Sequence, residues 1–431
     1  MPLTCPSIGS ARGPSARRTT IVKALPLKSA RAVLALTAVA TVLAGCSGSG
    51  AGTSTSSGPD PATGPPISVG FMNVDSGTLA FPEVTATAKA AADWVNGHGG
   101  IGGRPLKLEI CSTDGSTATT TKCANELIGK KVLAVLNGNA ALDPALPIFK
   151  KAALHIFGVS GSPAVSGDPG NTLMAVPPAA ATAAIGPVHQ AMGIKNGVYV
   201  LPNLGPEIKK VFGGIKTAAA ASDLQLTLSV VAPVNPDFTA AVNAARTTDA
   251  DGLMFSFAEN DCTNAVRTAK SMNWDGELAV GQCNQFVRDL GPQAAGVTST
   301  VELFPFSARA SAEKYDSHLK EEFDEYEAAV QAAGAEDYLG YGYATWGYST
   351  VMTFADILKG IDGDVTKTSA EHAIGAFKGR QVLGTPKDCR AKLMPGANCG
   401  RHLILLESHA DGTQTLVGGK PLDLGAVVGE K

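Results

Sequence analysis

Hydrophobic and polar positions along this chain repeat one phrase: a short alternating apolar stretch, a turn, then an Ala-rich segment with apolar residues three and four apart. The clearest instance surrounds residues 87–116, TAKAAADWVNGHGGIGGRPLKLEICSTDGS. Val84, Ala88, Ala91, Ala92 and Val95 fall on one helical face, while Leu106, Leu108 and Ile110 alternate with Lys107 and Glu109 at the strand period. A strand over 67–71 precedes them, so the spacing predicts a βαβ unit. Helices near 118–130 and 144–153 alternate with strands over 132–136 and 154–159. After a Pro/Ala-rich passage around 176–187 the pattern restarts at 197–201 and continues with strands over 224–231, 253–257 and 278–280. Residues 310–378 read as mainly helical, and short strands such as 402–406 follow position 381. The expectation is α/β, a doubly wound parallel sheet twice over, with a ligand cleft between two lobes at the C-terminal ends of their strands. No period of 20–50 residues repeats, which argues against a solenoid.

Composition changes the picture at the N-terminus. Arg12, Arg17, Arg18, Lys23, Lys28 and Arg31, with no acidic residue among them, precede an apolar run over 32–44. That is the layout of a secretory signal, too short to cross a membrane comfortably. Leu43-Ala44-Gly45-Cys46 resembles a bacterial lipobox, which implies a signal peptide over 1–45 and a diacylated Cys46 as the new N-terminus. The Gly/Ser/Thr/Pro-rich stretch over 46–66 has too little apolar surface to fold and reads as a flexible tether. Cleavage after residue 45 leaves 29 basic against 38 acidic residues, a formal charge of −9, which speaks against a nucleic-acid partner. With 44% hydrophobic residues in 431, the rest can bury two or three cores. No later stretch reads as a membrane helix; the most apolar, over 173–188, is interrupted by Pro177, Pro178 and Pro187.

Beyond Cys46 lie Cys111, Cys123, Cys262, Cys283, Cys389 and Cys399. An even count in an exported chain reads as disulfides, and the local pairs 111–123, 262–283 and 389–399 are the simplest of fifteen connectivities. No C-x-x-C or nearby histidine suggests zinc, and neither a metal nor a cofactor is expected.

Catalytic patterns are mostly missing. Gly97-His98-Gly99-Gly100-Ile101-Gly102 fits G-x-G-x-x-G, but it ends a helix and enters a strand, the reverse of a dinucleotide loop; a C-cap and turn are expected. In Gly158-Val159-Ser160-Gly161-Ser162, Ser162 stands where a nucleophile elbow needs its second glycine. H-E-x-x-H and P-loop patterns do not occur, so no enzyme is expected. The aromatic group Tyr338, Tyr341, Tyr343, Trp346 and Tyr348 reads as core packing at a lobe junction, with ligand stacking as the alternative.

Four stretches together resemble the type I periplasmic solute-binding proteins of ABC transporters, leucine/isoleucine/valine-binding branch: ISVGFMNVDSG, AADWVNGHGGIGGRPLKLEI, VNPDFTAAVNAARTTDADGLMF and YGYATWGYSTVMTFADIL. The resemblance spans about residues 67–410. It implies two Rossmann-like lobes, 67–186 with 306–378 and 187–305 with 379–431, joined by three hinge crossovers. The expected protein is a lipid-anchored monomer on the outer face of the cytoplasmic membrane. It would close over a small amphipathic solute, by family default a branched-chain or other neutral amino acid, and pass it to ABC permease and ATPase subunits. A sensing module on the same fold, or a binder of a non-amino-acid carboxylate or amide, are the alternatives.

Matching the family's pattern places Asn139 and Ala140 in one ligand loop and Ser160 and Ser162 in the next, where hydroxyls and amides would hold a carboxylate. The second lobe departs from the pattern. The acidic residue that should receive an ammonium is Cys283, beside Asn284. Either Glu259 takes that role, or the ligand is not an α-amino acid, because a buried ammonium without a partner is costly.

Overall fold

A computed structural model of the protein describes residues 60–429, apart from residues 78, 160, 204 and 206 and the side chains of residues 207–211. The expected signal segment and Cys46 lie outside the described residues. A first sheet is built from β1 (Ile67–Val74), β2 (Leu106–Thr113), β3 (Val135–Asn137), β4 (Ile156–Gly158) and β5 (Thr172–Leu173). These run parallel in the order β2-β1-β3-β4-β5. Central β1 is buried on both faces, as its near-continuous apolar sequence requires.

Between these strands stand α1 (Pro82–Gly97), α2 (Thr117–Gly129), α3 (Leu146–Lys151) and α4 (Pro163–Gly167). The buried face of α1 carries Val84, Ala88, Ala91, Ala92 and Val95, the set its spacing predicts. The helix ends where the His98 N–H donates to the Trp94 and Val95 carbonyls. Gly99 and Gly100 then take positive φ, 87° and 64°, so the glycine run is a turn into β2. Against that turn lies the described end of the stretch read as a tether: Ala62 N–H donates to Asn96 O and Gly64 N–H to Gly103 O, each at 2.9 Å.

The second sheet follows. Its elements are α5 (Pro178–Ala191), β6 (Asn196–Pro202), α6 (Glu207–Ala220), β7 (Gln225–Val231), α7 (Phe238–Thr247), β8 (Gly252–Phe255), α8 (Glu259–Ser271), β9 (Glu277–Gly281), α9 (Gln285–Leu290) and β10 (Val297–Val301). Strands β7-β6-β8-β9-β10 are parallel. After β10 come α10 (Arg309–Tyr315), α11 (Leu319–Ala332), α12 (Ala344–Lys359), α13 (Lys367–Gly375) and the β11 (Lys378–Arg380), β12 (Pro386–Asp388) ribbon. Strand β13 (His402–Ser408) then adds antiparallel to β10, with β14 (Gln414–Leu416) and β15 (Leu422–Asp423) antiparallel to β13. The second sheet is therefore mixed at one side, where β13, β14 and β15 follow one another with no α-helix between them, as antiparallel pairs can.

Both sheets belong to one compact unit, Ser57–Lys431. The chain passes between them three times: between β5 and β6, after β10, and before β13. Helix α12 returns to the first sheet and packs along α1, where Thr87 Oγ1 donates to Ala344 O at 2.6 Å.

The Pro/Ala-rich passage is not a break but helix α5. Pro178 sits in the first turn, where no N–H is needed. Ala180, Ala184 and Val188 bury against Leu403, Leu405 and Leu424, and this packing tolerates Pro187 within the helix. All three local disulfides are formed, Cys111–Cys123, Cys262–Cys283 and Cys389–Cys399. Among the described residues no helix is long and apolar enough to cross a membrane.

Candidate functional site

Loops at the C-terminal ends of the parallel strands carry most of the residues singled out by sequence. After β3, the Asn137 amide closes a tight turn: its Oδ1 accepts from the Ala140 N–H (3.0 Å) and its Nδ2 donates to Ala140 O (3.2 Å). Ala140 is thereby buried with its backbone engaged, and Asn139 at the turn's apex is half-buried. After β4, Ser160 lies outside the described residues. Ser162 precedes α4 without capping it, and its Oγ is buried with no protein partner. Asp143 joins the two loops, its Oδ1 accepting from the Ala164 N–H (3.1 Å).

Glu259 opens α8 and is 4% exposed. One carboxylate oxygen accepts from the Asn284 and Gln285 N–H groups (2.9 and 2.8 Å), which lie in the loop after β9. The other accepts from the Gly342 and Tyr343 N–H groups (2.5 and 3.3 Å), at the entry to α12. Burial pushes this carboxyl up to about 7, against the pull of the four backbone donors. Glu259 thus spends both oxygens joining the second sheet's loops to a helix of the first. The structure brings Glu259 and Asn284 together, the latter with both side-chain polar atoms buried and unpartnered. Gly342 has no room for a side chain: a Cβ there would stand 2.6 Å from Asn284 Nδ2 and from Gln282 O. Cys283, between these groups, is tied to Cys262 on α8.

Aromatic side chains stand between the two groups of loops. Tyr343 packs at a tilt against Phe81 (4.7 Å between centroids) and edge-to-face against Trp346 (5.1 Å), and Trp346 packs with Val159 and Leu303. Tyr348 is fully buried beside Tyr326, so the aromatic group divides between core packing and the junction. Nearby, Glu83 near the start of α1 is 4% exposed, and burial, with a smaller push from Glu259 and Asp75, raises its carboxyl to about 8.

Beside the junction a cavity of about 330 Å³ runs between α5 and the second sheet. Its lining mixes apolar residues such as Ala184, Val188 and Met254 with the polar His189, Tyr199 and Ser256, and includes Gln282, Glu302, Tyr343 and Trp346. Glu302 Oε2 accepts from the Val176 N–H (2.9 Å), and Gln282 Oε1 accepts from the Glu302 N–H (3.2 Å). Burial pushes Glu302 up to about 7 and Lys387 down to about 8, while each charge favours the other. Val176, Glu302 and Lys387 come from the three segments that pass between the sheets. Gln282 and Glu302 were not among the ligand candidates read from sequence, and Tyr343 and Trp346 entered only through the aromatic group, with ligand stacking as the alternative to core packing. The available signal was their position, just past β9 and β10 or within the aromatic group.

Two wound sheets joined by three crossings, with polar loops facing a shared junction, define a two-part ligand-clasping fold. A family model described as "Periplasmic binding protein" matches residues 66–390, and the chain belongs to that family. No curated protein matches it. Among solved structures it is similar to a possible leucine/isoleucine/valine-binding protein from Rhodopirellula baltica, at 18% identity and TM-score 0.64, over 85% of this chain and 99% of that one. It is also similar to the branched-chain amino acid binding protein LivJ of Streptococcus pneumoniae, solved with isoleucine, at 18% identity and TM-score 0.63, over 81% and 99%. A fatty acid ABC transporter substrate-binding protein from Thermomonospora curvata matches at 16% identity and TM-score 0.61, over 85% and 94%. These likenesses show the fold.

Proposed function

We propose that this chain is the extracytoplasmic solute-binding lipoprotein of an ABC importer, anchored through Cys46. It captures a small amphipathic solute by closing two lobes, 67–186 with 306–378 and 187–305 with 379–431, and delivers it to the permease. The boundary at 186 falls inside α5, which packs on the second sheet. The observation that carries this reading is the Glu259 carboxylate, shared between amides of the two halves. Such a bridge exists in one relative placement of the halves, so anything that favours that placement is favoured by it. Asn139, Ala140, Ser160, Ser162 and Asn284 are assigned to the solute site, and the unpartnered Ser162 Oγ and Asn284 amide support the assignment. Glu259 belongs to the same site as the residue that sets its geometry.

A thermal-shift screen with amino acids, α-keto acids, amides and aromatic acids tests the reading. A true solute at a hundred times its Kd adds about 2.7 kcal/mol of stability. One class should stand out, and Ser162→Ala should weaken it about tenfold, the loss of one net hydrogen bond. A blank screen, or turnover of an ester or amide, overturns the proposal.

A further inference from the structure

The chemistry around the cavity narrows the solute. An α-amino acid needs an uncompensated carboxylate for its ammonium, and of the acidic residues Glu83, Glu259 and Glu302 near the junction, only Glu302 lines the cavity. Glu259 accepts from four backbone N–H groups. Cys283 is in a disulfide. Glu302, the acidic residue of the cavity wall, accepts from Val176 N–H and lies in the field of buried Lys387, which offsets its charge. What the lining offers instead is donors. Trp346, 6% exposed, has its Nε1–H buried with no protein acceptor, and the Gln282 Nε2 is likewise unpartnered. Buried donors of this kind are expensive to leave unmade, and a ligand acceptor satisfies them. The same cavity is lined on one side by Ala181, Ala184 and Val188 of α5, which gives it room for an apolar chain.

Resting on the solute-binding reading, we propose that the solute extends from the junction into this cavity, whose lining includes none of Asn139, Ser162 or Asn284, and is an uncharged amphipathic molecule. Its polar end, a carboxamide-like group, would accept from Trp346 and Gln282 and donate to Glu302. Its apolar chain, longer than a leucine side chain, would lie between α5 and the second sheet.

Calorimetry with hexanamide, octanamide, octylamine and leucine tests this on the mature protein. Each CH2 buried under α5 should raise amide affinity about fourfold, so octanamide should exceed hexanamide by about sixteenfold, with leucine and octylamine weaker than either. Ala181→Leu, at a half-buried lining position, should abolish the chain-length gain. Trp346→Phe should weaken both amides about tenfold. Circular dichroism and a cooperative melt confirm that each variant is folded, and Gln282→Met provides a second removal of a donor. Leucine binding as tight as octanamide, or octylamine binding tighter, overturns the inference and leaves the solute-binding reading standing. Amide affinity independent of chain length, or no binding by any of the four, also overturns it. A blank result in the wider screen removes both.

Discussion

Glu83 shows what a single buried side chain contributes. Its carboxyl sits near the start of α1 with Glu259 and Asp75 as like-charged neighbours, and burial raises it from 4.5 to about 8. A carboxyl whose folded pKa lies above its unfolded one takes up a proton on folding. Its contribution is therefore complete below about 4.5 and is lost as pH rises through about 8. In that window stability should fall by up to about 1.4 kcal/mol per pH unit. Glu83→Gln should flatten the profile, so urea unfolding at pH 5, 7 and 9 should show the variant gaining on the parent protein as pH rises. Parallel losses in the two proteins would rule out Glu83 as the source. At this scale the sequence was legible for loop residues such as Asn139 and Ser162, which sit at strand ends. It was not legible for the amides that occupy Glu259, because Gly342 and Tyr343 are more than eighty residues away and no local pattern announces them.

Elements were read more easily than their edges. The apolar face of α1 follows from spacing, and the glycine run after it reads as a turn because helix precedes strand. Helix α5 escaped the reading because its prolines look like breaks; only its contacts with Leu403, Leu405 and Leu424, far along the chain, make the helix worth forming. The three disulfides were legible from spacing, yet they do different work. Cys262–Cys283 fastens the first turn of α8 to the loop entering α9, the two segments that hold Glu259 and two of its four donors. Replacing both cysteines by alanine should cost about 2–4 kcal/mol and should also weaken solute binding. Replacing Cys111 and Cys123 should cost a comparable amount and leave affinity unchanged, since that bond joins β2 to α2 away from the junction. Calorimetric titration of both double variants, alongside their melting curves, separates the two effects. Equal losses of affinity would mean that the α8 bond acts through global stability alone.

Over the whole molecule, the doubled α/β plan was legible because each strand and helix has its own period, whereas the antiparallel direction of β13 is set by its pairing with β10, about a hundred residues earlier, which no local period shows. Among the groups that join the halves is Glu259, with four backbone donors. In the bridge, both oxygens face N–H donors from opposite sides. Glu259→Gln puts an amide NH2 against one of those donor pairs, so one side of the bridge becomes repulsive while size and shape are kept. Gly342→Ala attacks the same bridge from the other side, since its Cβ would press on Asn284 and Gln282. If the bridge holds the halves together, both variants should lower the closed fraction, read as a longer distance between fluorophores placed on the two sheets. Apparent affinity should then fall in proportion, because Kd scales inversely with the fraction of competent molecules, and a closed fraction reduced from nearly all to about a tenth gives about tenfold weaker binding. Ser162→Ala should weaken binding without moving the unliganded distance. An unchanged distance distribution in both Glu259→Gln and Gly342→Ala would show that Glu259 orders its own loops and leaves closure to the solute.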